Sequence, residues 1–211
     1  KMRDAPPASL HALLPLNPLP NRKTDSRTGE MPGASWDWPH VSRERRRQIA
    51  ELHRCYSAGY IWFLLTDPRV PRKFQEELHE WGHAADEFTD NDHWPYHIYV
   101  REARRLVGDF VMTQRDVTVE RHQPDAVALG SFYLDVHAVE LVADAAGPAG
   151  LRAEGPFGEL SVRPYEIAFR SLLPRRRECE NLLVTTCLSA SHVAYSTIRM
   201  EPVFQCLGHA A

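Results

Sequence analysis

The chain closes on Tyr165-Glu166-Ile167-Ala168-Phe169-Arg170-Ser171-Leu172-Leu173-Pro174, Asn181-Leu182-Leu183-Val184, Ser189-Ala190-Ser191-His192, Ile198-Arg199-Met200-Glu201-Pro202 and Leu207-Gly208-His209-Ala210-Ala211. In order, this reads as an apolar strand, a loop of small polar residues holding one His, an Arg, and the beginning of a helix. Leu182-Leu183-Val184 is a short apolar run of the kind buried in a parallel sheet. Ligands of open α/β sheets sit just past the carboxyl ends of the strands. Cys187, Leu188, Ser189 and Ser191 fall there. Pro202 suits the first turn of a helix and Glu201 its N-terminal end. A helix start offers N–H groups and a partial positive charge, and Gly208 is small enough for close backbone approach. The plain alternative for 203–211 is an ordinary amphipathic helix.

Working outward, the 211 residues are 43% hydrophobic and 25% charged, with a net charge of −3. That composition is ordinary for a globular protein, and a chain of this length buries roughly 70% of its unfolded surface. The charge gives no general pull toward nucleic acid. The Arg runs at 43–47 and 175–177 are local, and the first reads as a solvated helix face. No apolar run approaches the ~20 residues of a membrane span. Cys55, Cys179, Cys187 and Cys206 show no C-x-x-C pair, so reduced, mostly buried thiols are expected. The chain begins at Lys1 in a Pro-rich polar stretch, so neither a signal peptide nor a compartment is specified; a soluble protein, cytoplasmic or exported, is the expectation.

Residues 1–40 read as an extended, loop-rich opening segment. Ser42 is a good N-cap, and Ile49, Leu52, Tyr56, Tyr60, Phe63 and Leu64 recur at helical spacing. Pro68 stops that helix near Thr66. A second helix starts at Pro71, buries Phe74, Leu78 and Trp81, and ends at Gly82. Val117–Val119, Ala126–Leu129, Phe132–Val136, Leu160–Val162, Glu166–Phe169 and Leu182–Thr185 read as strands, and 143–158 as a hairpin-like loop. Helices early and strands late argue α+β, or a piece of a larger α/β enzyme.

His79-Glu80-Trp81-Gly82-His83 matches H-E-x-x-H, in which two His one turn apart bind zinc and the Glu is a general base. Gly82 reads as the helix terminus, which takes His83 off His79's face. Asp86 and Thr89 stand where the longer motif needs Gly and a third His. No metal site is assigned. His93 and His97 have the same spacing, broken by Pro95.

The closing block, together with Leu19-Pro20-Asn21, Asp67-Pro68-Arg69-Val70-Pro71, Tyr99-Val100-Arg101-Glu102-Ala103-Arg104-Arg105 with Gly108, Val111-Met112-Thr113 and Gly130-Ser131 with Tyr133, Asp135 and His137, resembles the FAD-dependent oxidoreductases with a glutathione-reductase-like FAD fold. Within that family the chain looks like a group of uncharacterised bacterial enzymes, some labelled xanthan lyases. The similar stretches run from about Leu19 to Ala211. The resemblance implies FAD as cofactor, and a final helix that points at the flavin's pyrimidine edge. It implies cofactor contacts from Cys187, Leu188, Ser189, Ser191, Arg199, Met200, Glu201, Pro202 and Gly208.

His192 is the candidate for chemistry. A His can accept a proton at neutral pH, and oxidation of an alcohol or amine needs a proton acceptor beside the substrate. Its alternative is a structural contact to the flavin or backbone. Asp135 and His137 alternate along a strand and share one face. With Arg101, Arg170 and Tyr195 they are the candidate substrate contacts, for a small-molecule or carbohydrate-like substrate. Arg104 and Arg105 read as ion-pair partners. The family's G-x-G-x-x-G turn, which cradles pyrophosphate at a helix start, does not occur in the sequence.

The expected fold is therefore an α+β fragment of an α/β FAD-binding enzyme. It would comprise a substrate or cap portion over 1–160 and, over 161–211, the last strand and the start of the last helix of the FAD domain. The N-terminal FAD half would be a missing partner, and the fragment alone would be inactive and hold FAD weakly. The competing readings are a zinc metallohydrolase built on His79, Glu80 and His83, and a carbohydrate-binding module using Trp36, Trp38 and Trp94.

Overall fold

The computed structural model describes residues 8–26, 30–147, 150–155 and 160–211. The parts of the opening segment at 1–7 and 27–29, and of the 143–158 loop at 148–149 and 156–158, lie outside them. The chain divides into two compact units, Lys1–Val100 with Ala143–Arg152, and Arg101–Val142 with Ala153–Ala211.

In the first unit, Asn17–Leu19 (β1) and Lys23–Asp25 (β2) form an antiparallel hairpin. Its turn puts Asn21 at φ 63°, a left-handed conformation that Asn tolerates better than most residues. Helix α1 spans Arg43–Thr66; the Ser42 hydroxyl accepts the Arg45 N–H at 3.2 Å, and Asp67 takes extended backbone after the last turn. Helix α2 spans Arg72–Leu78. Leu10, Leu14, Leu64, Val70, Phe74 and Leu78 form this unit's core, and the Tyr60 hydroxyl donates to Leu13 O at 2.7 Å. Two expectations fail here. Leu52 and Tyr56 are 45% and 42% exposed, so α1 buries only parts of its apolar stripe. Helix α2 stops four residues before Gly82, and the turn that follows leaves Trp81 exposed.

In the second unit, helix α3 is Gln114–Val117, followed by strands Ala126–Gly130 (β3), Glu140–Ala143 (β4), Leu151–Glu154 (β5) and Tyr165–Ala168 (β6), with β4 and β5 straddling the division between units. Strands β3 and β6 pair antiparallel, with Gly130 opposite Tyr165 and an irregularity between Ala126 and Ala128. Helices α4 (His192–Ile198) and α5 (Glu201–Ala210) close the chain. Met112, Leu134, Tyr165, Ile167, Leu172, Leu188, Ala190, Ile198 and Leu207 lie in one apolar core.

Four of the expected strands are absent as such. Val117–Val119 instead ends helix α3: Asp116 Oδ2 accepts the Thr113 N–H at 2.6 Å, and Val119 at φ 63° breaks any extended run. Phe132–Val136 and Leu160–Val162 meet only at the Leu134–Leu160 bridge. Leu182–Thr185 forms no strand, which corrects the expected last strand. Val184 N–H donates to Leu172 O at 2.9 Å, but Leu172 belongs to a 3₁₀ turn and no ladder follows; Leu182 is 49% exposed. The four cysteines are free, but Cys55, Cys187 and Cys206 are exposed rather than buried. No helix among the described residues is long and apolar enough to cross a membrane.

Candidate active site around His192

The segment before α4 is held in place by backbone bonds to two neighbours. Leu106 N–H donates to Cys187 O at 2.8 Å, Met112 N–H to Ser189 O at 3.0 Å, and Ser191 N–H to Met112 O at 2.8 Å. On the other side Ser189 N–H donates to Ser171 O at 2.8 Å. Gly108 is required where these segments meet: a Cβ there would lie 2.6 Å from Leu173 O. Its N–H donates to Ser189 Oγ at 3.1 Å. Leu188 and Ser189 are fully enclosed, so their part is to fix the path of this segment rather than to touch a ligand.

Ser191 ends the segment as an N-cap, its Oγ accepting the Ala194 N–H at 3.3 Å. His192 is therefore the first residue of a helix and not part of a loop. The sequence reading gave no helix there, because a seven-residue helix with three buried hydroxyl side chains has little propensity signal of its own. The buried hydroxyls are satisfied: Ser196 donates locally to Val193 O at 2.8 Å, and Thr197 donates to the distant Phe132 O.

The His192 side chain is 46% exposed, and its Nδ1 lies 2.8 Å from Glu102 Oε2. Arg105 Nη1 donates to the same oxygen at 2.6 Å, and Arg105 Nε donates to Ala190 O at 3.1 Å. The Arg105 guanidinium stands 5.2 Å from the Tyr195 ring centroid. Tyr195 donates its hydroxyl to Thr186 O at 2.9 Å. Burial, with the Cys187 thiol nearby, pushes that phenol up to about 12. Tyr195 thus ties α4 to the preceding loop as a neutral donor. Sequence reasoning missed Glu102. The i,i+3 spacing of Glu102 and Arg105 was visible, but their partner is 90 residues away from Glu102.

The other candidates fall in two further groups. Arg199 is 5% exposed, and its Nη2 donates to Asp135 Oδ2 at 2.8 Å and to Asp135 O at 3.1 Å. His137 Nε2 lies 3.0 Å from the same carboxylate oxygen. The shared face expected for Asp135 and His137 is realised, on irregular backbone. Arg170 is committed elsewhere: it pairs with Asp125, donates to Gln123 Oε1 at 2.7 Å and lies 3.9 Å from the Phe110 ring centroid. Gln123 passes the chain on to buried Asp116 at 2.8 Å. Arg101 is half-buried at the start of this unit.

The two competing readings find no geometry. His79 caps the C-terminus of α2, and the His83 ring meets Trp94 edge-on at 4.8 Å, so the two His do not share a helix face. Among the described residues no three His, Cys, Asp or Glu are grouped to hold a metal. Trp38 lies 5.8 Å beneath Arg46 and Trp94 5.1 Å beneath Arg54; both are half-buried, and of these three Trp just Trp36 is exposed.

The family model for FAD dependent oxidoreductases matches residues 7–211, and the chain belongs to that family. Among curated proteins and among solved structures nothing matches. The family name carries FAD with it, and the residues fit one end of that molecule. No side chain caps α5, Pro202 sits in its first turn, Met200 is half-buried, and Glu201 is exposed. This helix start has the donor chemistry that an electron-rich ring edge accepts. The Glu201 carboxylate sits at the same positive end, so only its backbone suits such a contact. Gly208 lies open, with nothing within 4 Å of an added Cβ. For the pyrophosphate end the sequence offers no G-x-G-x-x-G turn.

Proposed function

We propose that this oxidoreductase removes a hydride from the carbon of an alcohol or amine, with His192 taking the accompanying proton, and that its substrate is a polyhydroxylated, carbohydrate-like molecule. The supporting observation is the His192–Glu102 pair in a chain of this family. FAD, when bound, supplies the two-electron acceptor. Cys187, Ser191, Met200 and the start of α5 at Glu201 and Pro202 would hold its ring. Arg199 fixes the C-terminal end of α4, and Tyr195 ties the helix to the preceding loop.

The chemistry balances at the chain's own residues. As the substrate C–H pair departs, the O–H or N–H proton must leave for a C=O or C=N bond to form. His192 Nε2 receives it, because Nδ1 is already engaged. Asp135 and His137, with Arg101, supply hydrogen-bonding groups suited to hydroxyls.

The test uses His192→Gln in FAD-loaded protein, mixed anaerobically with sugars and simple alcohols while flavin absorbance is followed. The variant should bleach the flavin about 10²–10⁴-fold more slowly, the usual contribution of a positioned general base. Equal rates with a substrate the unmodified protein oxidises would remove His192 from this role. Bleaching by non-hydroxylated amines alone would overturn the carbohydrate assignment.

A further inference from the structure

We infer that Glu102 is a positioning residue for His192: it holds the imidazole as the Nδ1–H tautomer and leaves Nε2 as the open proton acceptor. Three observations carry this. First, one oxygen, Glu102 Oε2, meets both Arg105 Nη1 at 2.6 Å and His192 Nδ1 at 2.8 Å. A guanidinium has donors only. The shared oxygen must therefore accept from Arg105, and a proton on it would point at a cation. The same oxygen can only accept from His192, so Nδ1 carries the hydrogen. In a neutral ring one nitrogen donates and the other accepts, which leaves Nε2 with its lone pair.

Second, the carboxylate is fixed. Glu102 and Arg105 are 19% and 22% exposed, against 46% for the imidazole. Arg105 is anchored to Ala190 O, two residues before His192, and lies over Tyr195, three residues after it. The pair therefore grips both sides of His192's attachment point. An exposed pair free to rotate would contribute little stability and little orientation. Here Glu102 and Arg105 are mostly covered while the imidazole is turned outward.

Third, the arrangement reverses the preference of a free histidine side chain, which favours the Nε2–H form. Which nitrogen of a His carries the proton is fixed by the bond the other nitrogen makes. Here that bond comes from a segment 90 residues distant, so neither local sequence nor α4 itself imposes it.

The consequence for catalysis rests on the reading of His192 as proton acceptor, whereas the tautomer itself does not. The experiment is ring ¹⁵N–¹H correlation spectroscopy on the ¹⁵N-histidine-labelled chain at a pH where the ring is neutral, with His192 signals assigned through His192→Gln. In the unmodified protein Nδ1 should show the protonated, pyrrole-type shift and Nε2 the lone-pair, pyridine-type shift. Glu102→Ala should exchange the two signatures. Glu102→Gln should keep them, because Arg105's donor still selects the amide oxygen for the shared position. An Nε2–H tautomer in the unmodified protein overturns the proposal even if Glu102→Ala fails to fold. So does an unchanged pattern in folded Glu102→Ala. If the tautomer follows Glu102 but His192→Gln bleaches flavin at the normal rate, the positioning stands and the base assignment falls. If His192→Gln is slow and the tautomer is wrong, the reverse holds.

Discussion

Replacing Gly130 with Ala should damage the protein more than any other addition of a single methyl group in β3. Gly130 lies opposite Tyr165 in the β3–β6 pair. A Cβ there would stand 2.3 Å from the Tyr165 Oη, 2.4 Å from Cζ and 2.8 Å from Cε2. Ordinary contact needs more than an ångström beyond the closest of these. The ring cannot give that distance: Tyr165 is 1% exposed and belongs to the central core. Its hydroxyl lies 3.0 Å from Thr197 Oγ1, and Thr197 in turn donates to Phe132 O. Overpacking a tight core costs about 1–3 kcal/mol, and displacing a buried hydroxyl from its partner adds about 1–3 kcal/mol. The expected loss is about 2–6 kcal/mol, read from urea unfolding as a lower midpoint at unchanged slope. Because Thr197 lies in α4, the same strain should loosen the helix that carries His192. Tyr165→Leu makes room for the methyl, so Gly130→Ala should cost much less in that background, a coupling visible in a double-mutant cycle. A Gly130→Ala loss below about 0.5 kcal/mol, or additivity with Tyr165→Leu, would refute the reasoning, since a core contact predicts neither.

Two further outcomes follow from charges and phenols in the same unit. Asp135→Asn keeps the side-chain volume but removes the carboxylate that meets Arg199, which is 4% exposed at its side chain. Breaking a buried ion pair costs about 3–5 kcal/mol; Asp135 is 22% exposed, so about 2–3 kcal/mol is expected in the same urea assay, and a loss within about 0.5 kcal/mol would show that the pair contributes no stability. Burial raises Tyr165 and Tyr195 from 10 to about 12. Folding holds both phenols protonated, so their contribution is fully present below pH 10 and disappears as pH rises through about 12. For Tyr165 it amounts to about 2–3 kcal/mol, at 1.36 kcal/mol per pH unit. An ultraviolet titration should show late-ionising tyrosines, one of which Tyr165→Phe removes; a single transition near pH 10 for all seven tyrosines would contradict the burial argument.

What the sequence by itself determined was local. Ser42 and Pro68 set the ends of α1, Pro202 sits in the first turn of α5, and alternation with flanking turn residues marks β3 and β6. Each of these depends on a few neighbouring residues, so the chain alone carries the information. The family was also legible, because it rests on the order of many weak features along the whole length. Tertiary structure decided what the polar residues do. Leu182–Val184 has the composition of a strand, but a strand needs a laddered neighbour, and packing set it beside the 3₁₀ turn Phe169–Leu172 instead. His192 was visible as a candidate, yet its partner Glu102 was not, because a hydrogen bond across 90 residues is set by how buried segments stack and by no local propensity. In sequence Arg170 stands as a candidate substrate contact and Arg199 as a candidate cofactor contact; the fold pairs them with the carboxylates of Asp125 and Asp135, while it turns one imidazole outward.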